Sequence, residues 1–352
     1  MSEYLSEKLK NLSPYTPGEQ PKGEKYVKLN TNENPYSVSR YCSGKIGRKT
    51  LENLRLYSDP ENRALTAEIA ANYGVNAQNV LPANGSDEAL AFCFAAFGGR
   101  GALFPDVTYG FYKVFAQFFG VSYKEIPLND DFTVDVKPYL NCKKTVFLAN
   151  PNAQTGINLP LAEIENIVKS NPATVVVIDE AYVDFGGESA VKLIKKYKNL
   201  VVVQTFSKSR SLAGARVGFA IADEGLIEDL KRVKYSFNPY NVNGVSEYLA
   251  TAAMKDKKYF EKCTAKIIAS RQKLTDGLKA LNYTVLPSSA NFVLCVSSRI
   301  YGGQLYEMLK KRGFLVRHFC DKRIDNFIRI TVGTDKQVCA LLKEIEKIEG
   351  GL

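Results

Sequence analysis

Lys208 follows an apolar run, Val201 to Val203, and Arg216 stands eight residues beyond it in the stretch LVVVQTFSKSRSLAGARVGF. Packing accounts for the valines, but a cation released at the carboxyl end of a buried strand stands where α/β proteins bind ligands. Two other short apolar runs also end in polar groups: Val146 to Ala149 before Asn150-Pro151-Asn152, and Val175 to Ile178 before Asp179-Glu180-Ala181-Tyr182. In a parallel sheet these carboxyl ends share one edge, so an amide, a carboxylate, a phenol and an amine converge there. The only histidine is His318, which nearly removes Ser-His-Asp, Cys-His and His-ligated metal chemistry. No metal site is expected.

An amine and a carboxylate can work together without histidine. A lysine condenses with an aldehyde cofactor, and pyridoxal phosphate then needs a carboxylate opposite its ring nitrogen so that the ring stays protonated and accepts electrons. The phosphate needs a cradle. Asn84-Gly85-Ser86-Asp87, entering a helix, offers backbone N–H groups and a positive dipole end, while Ser207 and Arg216 offer a hydroxyl and a bidentate cation. Each part has a plainer alternative: Asp-Glu after a strand often only caps a turn, Asn-Gly is commonly a turn, and a strand-end lysine is often solvated. Their joint occurrence in this order makes coincidence a poor explanation.

Positioning these residues requires alternating strands and helices. Residues 61 to 73, ENRALTAEIAANY, carry helical spacing, and a helix is expected to start at Ser86 or Asp87. Helices are also predicted over 161 to 170 and 189 to 197, between the three apolar strands. The C-terminal third differs: a long helical region over 244 to 280 precedes strand-like NYTVLP, NFVLCV, FLVRHF and FIRITVG, with helices near 302 to 312 and 335 to 348. Pro14, Pro17, Gly18, Pro21 and Gly23 mark an extended start to the chain. At 352 residues the length favours two domains. The expected fold class is therefore α/β: an N-terminal arm over 1–30, a large cofactor-binding domain over 31–240, and a smaller α+β domain over 241–352, hinged near Pro239. The large domain should hold a mostly parallel central sheet flanked by helices.

Composition narrows the partners. Hydrophobic residues make up 45% and charged residues 24%, ordinary for a soluble protein. No apolar stretch approaches the roughly 18 residues of a membrane span, and MSEYLSEKLKNLSPY lacks the apolar centre of a secretory signal. The seven cysteines are scattered without a C-x-x-C pair, which suits reduced thiols. A cytoplasmic location is expected. The net charge of +10 is spread through stretches such as KLIKKYKNL and MLKKRGF, so a solvated surface is expected and no nucleic-acid or membrane partner.

Nine motifs run along nearly the whole chain: LSPYTPGEQ, LNTNENPY, YSDP, NGSDE, TYGFY, NPNAQTG, IDEAYVDF, TFSKSRSLAGARVGF and FIRITVGT. With them the sequence resembles the fold-type I pyridoxal-phosphate-dependent aminotransferases, the last four motifs in order being specific for that superfamily. The arm motifs and IDEAYVDF favour its histidinol-phosphate branch. The resemblance implies pyridoxal phosphate as cofactor, and histidinol phosphate with glutamate or 2-oxoglutarate as small-molecule substrates in histidine biosynthesis. It also implies a homodimer with shared active sites. Lys208 resembles the lysine that attaches the cofactor, Asp179 the partner of the ring nitrogen, and Tyr182 the donor to the ring's phenolate oxygen. These three are the candidate catalytic residues. Tyr109 would stack on the ring; Gly85, Ser86, Asp87, Thr205, Ser207 and Arg216 would hold the phosphate. Tyr57 would reach that phosphate from the other subunit, and Tyr15, Asn32, Arg317 and Arg329 would face the substrate.

One departure concerns the ring oxygen. The family reads N-P-N-N-P-T-G where this chain has Asn150-Pro151-Asn152-Ala153-Gln154-Thr155-Gly156. Ala153 has no side-chain donor, so either Asn152 binds the cofactor in its place or Tyr182 acts alone. Neighbouring activities stay open at this level: a threonine-phosphate decarboxylase, an aromatic amino-acid aminotransferase, and a regulatory module that binds the cofactor without turnover.

Overall fold

Val146, Val176 and Val202 pack into one hydrophobic core, while Phe147, Val177 and Val201 pack into another. Side chains alternate across a strand, so this division means that each strand is covered on both faces. The computed structural model describes residues 4–10, 12–21, 26–44 and 46–351. The remainder of the expected arm, residues 1–3, 11 and 22–25, lies outside the described residues.

In chain order the strands are β1 (Val27–Lys28), β2 (Val80–Ala83), β3 (Ala102–Pro105), β4 (Tyr123–Ile126), β5 (Thr145–Ala149), β6 (Val176–Asp179) and β7 (Leu200–Thr205). They continue as β8 (Gly218–Ala222), β9 (Tyr283–Val285), β10 (Phe292–Ser297), β11 (Phe314–Leu315), β12 (Arg317–His318) and β13 (Ile328–Thr331). Seven of them form one sheet in the order β2-β8-β7-β6-β5-β3-β4. Only β8 runs against its neighbours β2 and β7; the other pairings are parallel. The expected mostly parallel α/β sheet is therefore present, and the carboxyl ends of β5, β6 and β7 lie side by side. Helices Gly85–Phe97, Phe111–Phe119 and Glu224–Phe237 bury residues in the core on one face, and Arg63–Tyr73, Leu161–Ser170 and Gly244–Lys255 do so on the other. Among the described residues no helix is long and apolar enough to cross a membrane.

An antiparallel sheet, β12-β13-β10-β9, carries the C-terminal third. Here the structure corrects several expectations. The stretch FLVRHF is not one strand: Phe314–Leu315 pairs in parallel with Val27–Lys28, and Arg317–His318 pairs with β13. The end of the expected arm is thus bonded to this region rather than free. The helical region over 244 to 280 is two helices, Gly244–Lys255 and Lys257–Ala280. The break falls at Asp256, whose side chain accepts from Tyr259 N and caps the second helix. The helix expected over 189 to 197 is only a 3₁₀ turn, Ala190–Leu193. Its start is tied to buried Glu180, which accepts from Ala190 N at 2.6 Å and from the Ser189 hydroxyl at 2.6 Å. That anchor fixes a short turn where periodicity alone suggests a helix.

Candidate active site

β6 ends at Asp179, and β7 leads through Phe206 and Ser207 to Lys208. Both residues open on a cavity of about 190 Å³ that is also lined by Ser86, Tyr109, Tyr182, Thr205, Ser207 and Arg216. Asp179 is 3% exposed. Its Oδ2 accepts from the Tyr112 hydroxyl at 3.0 Å and its Oδ1 from Ala181 N at 3.2 Å. Burial pushes its carboxyl up to about 7, while those two hydrogen bonds pull the other way and Lys208 exerts the smallest pull. A buried carboxylate of this kind favours a cation opposite it. The Lys208 Nζ donates to Thr31 O at 3.2 Å and lies 5.7 Å from the centre of the Tyr182 ring.

Tyr182 is held by the chain's start. Its hydroxyl accepts from Asn32 Nδ2 at 3.0 Å, and Asn32 Oδ1 accepts from the Thr331 hydroxyl at 3.0 Å. Asn32 was expected to face the substrate, but at 1% exposure its amide is committed to Tyr182 and Thr331. Its φ of 56° allows this, since asparagine tolerates the left-handed region better than most residues.

The opposite end of the cavity is the start of helix Gly85–Phe97, whose first N–H groups have no partner within the helix. Gly85 has φ 81°, so the backbone favours glycine, and a Cβ there would sit 2.5 Å from Arg216 Nη2 and displace the guanidinium. Arg216 Nη2 donates to Asp87 Oδ2 at 2.8 Å, and the Tyr109 hydroxyl donates to Asp87 Oδ1 at 2.6 Å. Asp87 was expected at a phosphate. Two anions repel, so its side chain cannot serve there; it tethers Arg216 and Tyr109, leaving only its backbone N–H for an anion. Thr205 and Ser207 are buried, and the Thr205 hydroxyl donates to Ser207 Oγ at 3.0 Å.

Asn152 is also turned away from the expected role. Its Nδ2 donates to Val107 O at 2.9 Å, and its Oδ1 accepts from Gln154 N at 2.9 Å and Thr155 N at 3.1 Å. With the amide spent on the backbone, Ala153 rather than Asn152 lines the cavity. Tyr57 lies outside it, 84% exposed and stacked on Tyr240 with ring centres 4.5 Å apart.

A second cavity, of about 220 Å³, shares the Tyr109 wall and is lined by Tyr15, Gln154 and Arg317. Tyr15 stacks on Phe111 with ring centres 4.3 Å apart. Arg317 donates to Thr16 O at 3.3 Å and Pro17 O at 3.4 Å. Arg329 is half-buried between the rings of Phe292 and Phe319, at 5.0 and 5.2 Å. Among the described residues no carboxylate pairs with it, and burial lowers its proton affinity. A larger cavity of about 470 Å³ borders the same loop through Asn150 and Asn152 but contains neither Lys208 nor Asp179.

Sequence reasoning missed Tyr112, Thr31 and Thr331. Tyr112 lay inside the motif TYGFY, yet nothing in its spacing separates it from the packing aromatics Phe111 and Phe115. The donor set as a whole suits a phosphorylated aldehyde with a basic ring nitrogen: an amine, a buried carboxylate that has no ion-pair partner among the described residues, and a helix start beside an arginine.

The chain belongs to the aminotransferase class I and II family, whose model matches residues 24–345. It is 48% identical over 351 residues to a histidinol-phosphate aminotransferase of Brachyspira hyodysenteriae, covering 99% of each chain. It is 46% identical over 349 residues to one of Clostridium acetobutylicum, again covering 99% of each. Its fold is shared with the histidinol-phosphate aminotransferase of Sinorhizobium meliloti in complex with pyridoxal-5'-phosphate, at TM-score 0.89 and 22% identity, covering 100% of this chain and 99% of that one.

Proposed function

We propose that the chain is a pyridoxal-phosphate-dependent histidinol-phosphate aminotransferase, exchanging an amine between L-histidinol phosphate and 2-oxoglutarate. The observation that carries this reading is the meeting of Lys208 with Asp179, a buried carboxylate that has no ion-pair partner among the described residues, in one cavity of about 190 Å³. The identity of 48% to an enzyme of that name supports the substrate.

When bound, pyridoxal phosphate supplies a ring that accepts the electrons left on the amine-bearing carbon once its proton is lost. Lys208 would attach the cofactor through Nζ and, once displaced by the substrate amine, take the proton from that carbon as general base. Asp179 would hold a proton at the ring nitrogen, with Tyr112 and Ala181 N keeping its carboxylate oriented. Tyr182, steadied by Asn32, would donate to the ring oxygen, and it does so alone because Ala153 and Asn152 offer nothing there. Tyr109 would cover the ring. Ser86, Thr205, Ser207, Arg216 and the N–H groups of Gly85 and Asp87 would receive the phosphate.

Arg329 would bind the substrate phosphate in one half-reaction and a 2-oxoglutarate carboxylate in the other, because a guanidinium fork matches both anions. Arg317 and Tyr15 would close over the substrate from the second cavity. We further infer a division into arm 1–30, cofactor domain 31–240 and small domain 241–352, a cytoplasmic location, and a homodimer in which Tyr57 reaches the partner's site. The exposure of Leu51, Leu54, Leu56 and Tyr57 supports the dimer.

The test is an assay of the purified, cofactor-loaded protein with histidinol phosphate and 2-oxoglutarate. Glutamate is expected to form as the amine is consumed. Turnover of threonine phosphate with release of carbon dioxide, independent of 2-oxoglutarate, would make it a decarboxylase instead. Preference for aromatic amino acids would move it to that branch, and binding without any turnover would leave a regulatory module.

A further inference from the structure

Arg329 has an unusual set of partners for a half-buried cation. Its Nη1 donates to Ala153 O at 2.9 Å and to Gln154 Oε1 at 3.0 Å, and its Nη2 to Asn30 O at 3.4 Å. Its Nε is buried and has no partner among the described residues. All three acceptors are neutral, so the guanidinium keeps both its charge and unused donors for an incoming anion.

Gln154 is the side chain closest to that role. A guanidinium can only donate, so the carboxamide must turn Oε1 to Arg329, which makes Nε2 the other arm. Among the described residues Nε2 has no partner, and Gln154 lines the cavity that also holds Tyr15 and Arg317. The backbone beneath it is fixed, since Gln154 N donates to Asn152 Oδ1 at 2.9 Å. In the family pattern this position is proline, which has neither the acceptor that holds Arg329 nor the second donor.

We propose that Gln154 is a positioning and specificity residue of the anion site: Oε1 fixes Arg329, and Nε2 adds a neutral donor to the phosphate or carboxylate that Arg329 binds. The substitution of Ala153-Gln154 for the family's asparagine and proline thus moves a polar contact from the cofactor ring to the substrate anion. This inference rests on the reading of Arg329 as the anion's partner.

The test titrates succinate and inorganic phosphate into the cofactor-loaded protein by calorimetry, alongside KM and kcat for histidinol phosphate and for its dephosphorylated amine. Gln154→Met, similar in size but without donor or acceptor, is expected to weaken both anions by about three- to tenfold, with kcat little changed. Gln154→Glu places a carboxylate on Arg329 and is expected to weaken them by ~100-fold, through repulsion of the anion and occupation of the fork. The dephosphorylated amine should be bound equally by all three proteins. Thermal melts identify any variant that is not folded, and either variant alone suffices for the comparison with wild type. If Arg329→Met leaves anion affinity unchanged, the reading of Arg329 fails and this inference with it. If Arg329→Met removes binding while the Gln154 variants match wild type, or if they weaken the dephosphorylated amine equally, Gln154 alone is excluded.

Discussion

The two ends of the proposed site, one assigned to the cofactor and one to the substrate, are built differently. The cofactor end stands on one sheet: Asp179, Ser207 and Lys208 leave adjacent parallel strands, and Gly85 to Asp87 open a helix packed beside them. The substrate end is assembled from segments far apart in the chain, with Tyr15 on the arm, Gln154 on a loop, and Arg317 and Arg329 on the small antiparallel sheet. At the cofactor end buried and half-buried groups hold each other by side-chain bonds of 2.6 to 3.0 Å. At the substrate end Arg329 is held at 2.9 and 3.0 Å by the Ala153-Gln154 loop, while Arg317 rests on carbonyls of Thr16 and Pro17 at 3.3 and 3.4 Å. Such a division suits a cofactor that stays and two substrates that alternate.

Lys208→Ala should cause the largest change, removing attachment and general base together. Turnover is expected to fall by about 10⁴-fold or more. A fall of less than tenfold, with the fold intact by circular dichroism, would show that the cofactor end does not depend on this amine.

Arg329→Ala comes next. Loss of a desolvated charge partner should cost about 2–5 kcal/mol in KM for both histidinol phosphate and 2-oxoglutarate. A loss for one anion only would mean that the substrate end has two separate anion sites, which would sharpen the contrast between the ends.

The cofactor end was largely legible in the sequence because its groups follow strand ends and a helix start, positions that local patterns reveal. Lys208, Asp179, Tyr182 and Arg216 could be proposed this way, and the structure brings them to one cavity. The side-chain bonds were not legible. Nothing in LNTNENPY says that Asn32 turns to Tyr182 and Thr331, a contact across 150 and 299 residues of chain. Nor does NPNAQTG reveal that Asn152 caps its own turn or that Gln154 meets Arg329. The split of FLVRHF into two strands likewise depends on a partner, Val27–Lys28, that lies nearly 300 residues earlier.

Tyr112→Phe should act at the cofactor end alone. Removing the hydroxyl leaves Asp179 Oδ2 without its donor, at a cost of about 1.5–3 kcal/mol for a hydrogen bond to a charged group. Equilibrium dialysis of the apoprotein against pyridoxal phosphate should show weaker binding, with succinate affinity of the loaded protein unchanged. Equal losses in both would erase the distinction between the ends.

A smaller effect concerns pH. The folded apoprotein holds the Asp179 proton up to about 7, above the carboxyl's ordinary value of 3.8, because burial disfavours the charge. Folding therefore gains most from this group below pH 4, and the gain is lost as pH rises toward and through about 7. Glu180, also pushed up to about 7 by burial, contributes in the same direction. The melting temperature of the apoprotein should fall between pH 5 and 8, and Asp179→Asn should fall less. Parallel curves for the two proteins would show that Asp179 is not held protonated.

The most direct measurement is to reduce the cofactor-loaded protein with borohydride, digest it and locate the pyridoxyl group by mass spectrometry. The expected result is one labelled peptide carrying the group on Lys208. A label on any other lysine, or none, would contradict the placement of the cofactor at the ends of β6 and β7.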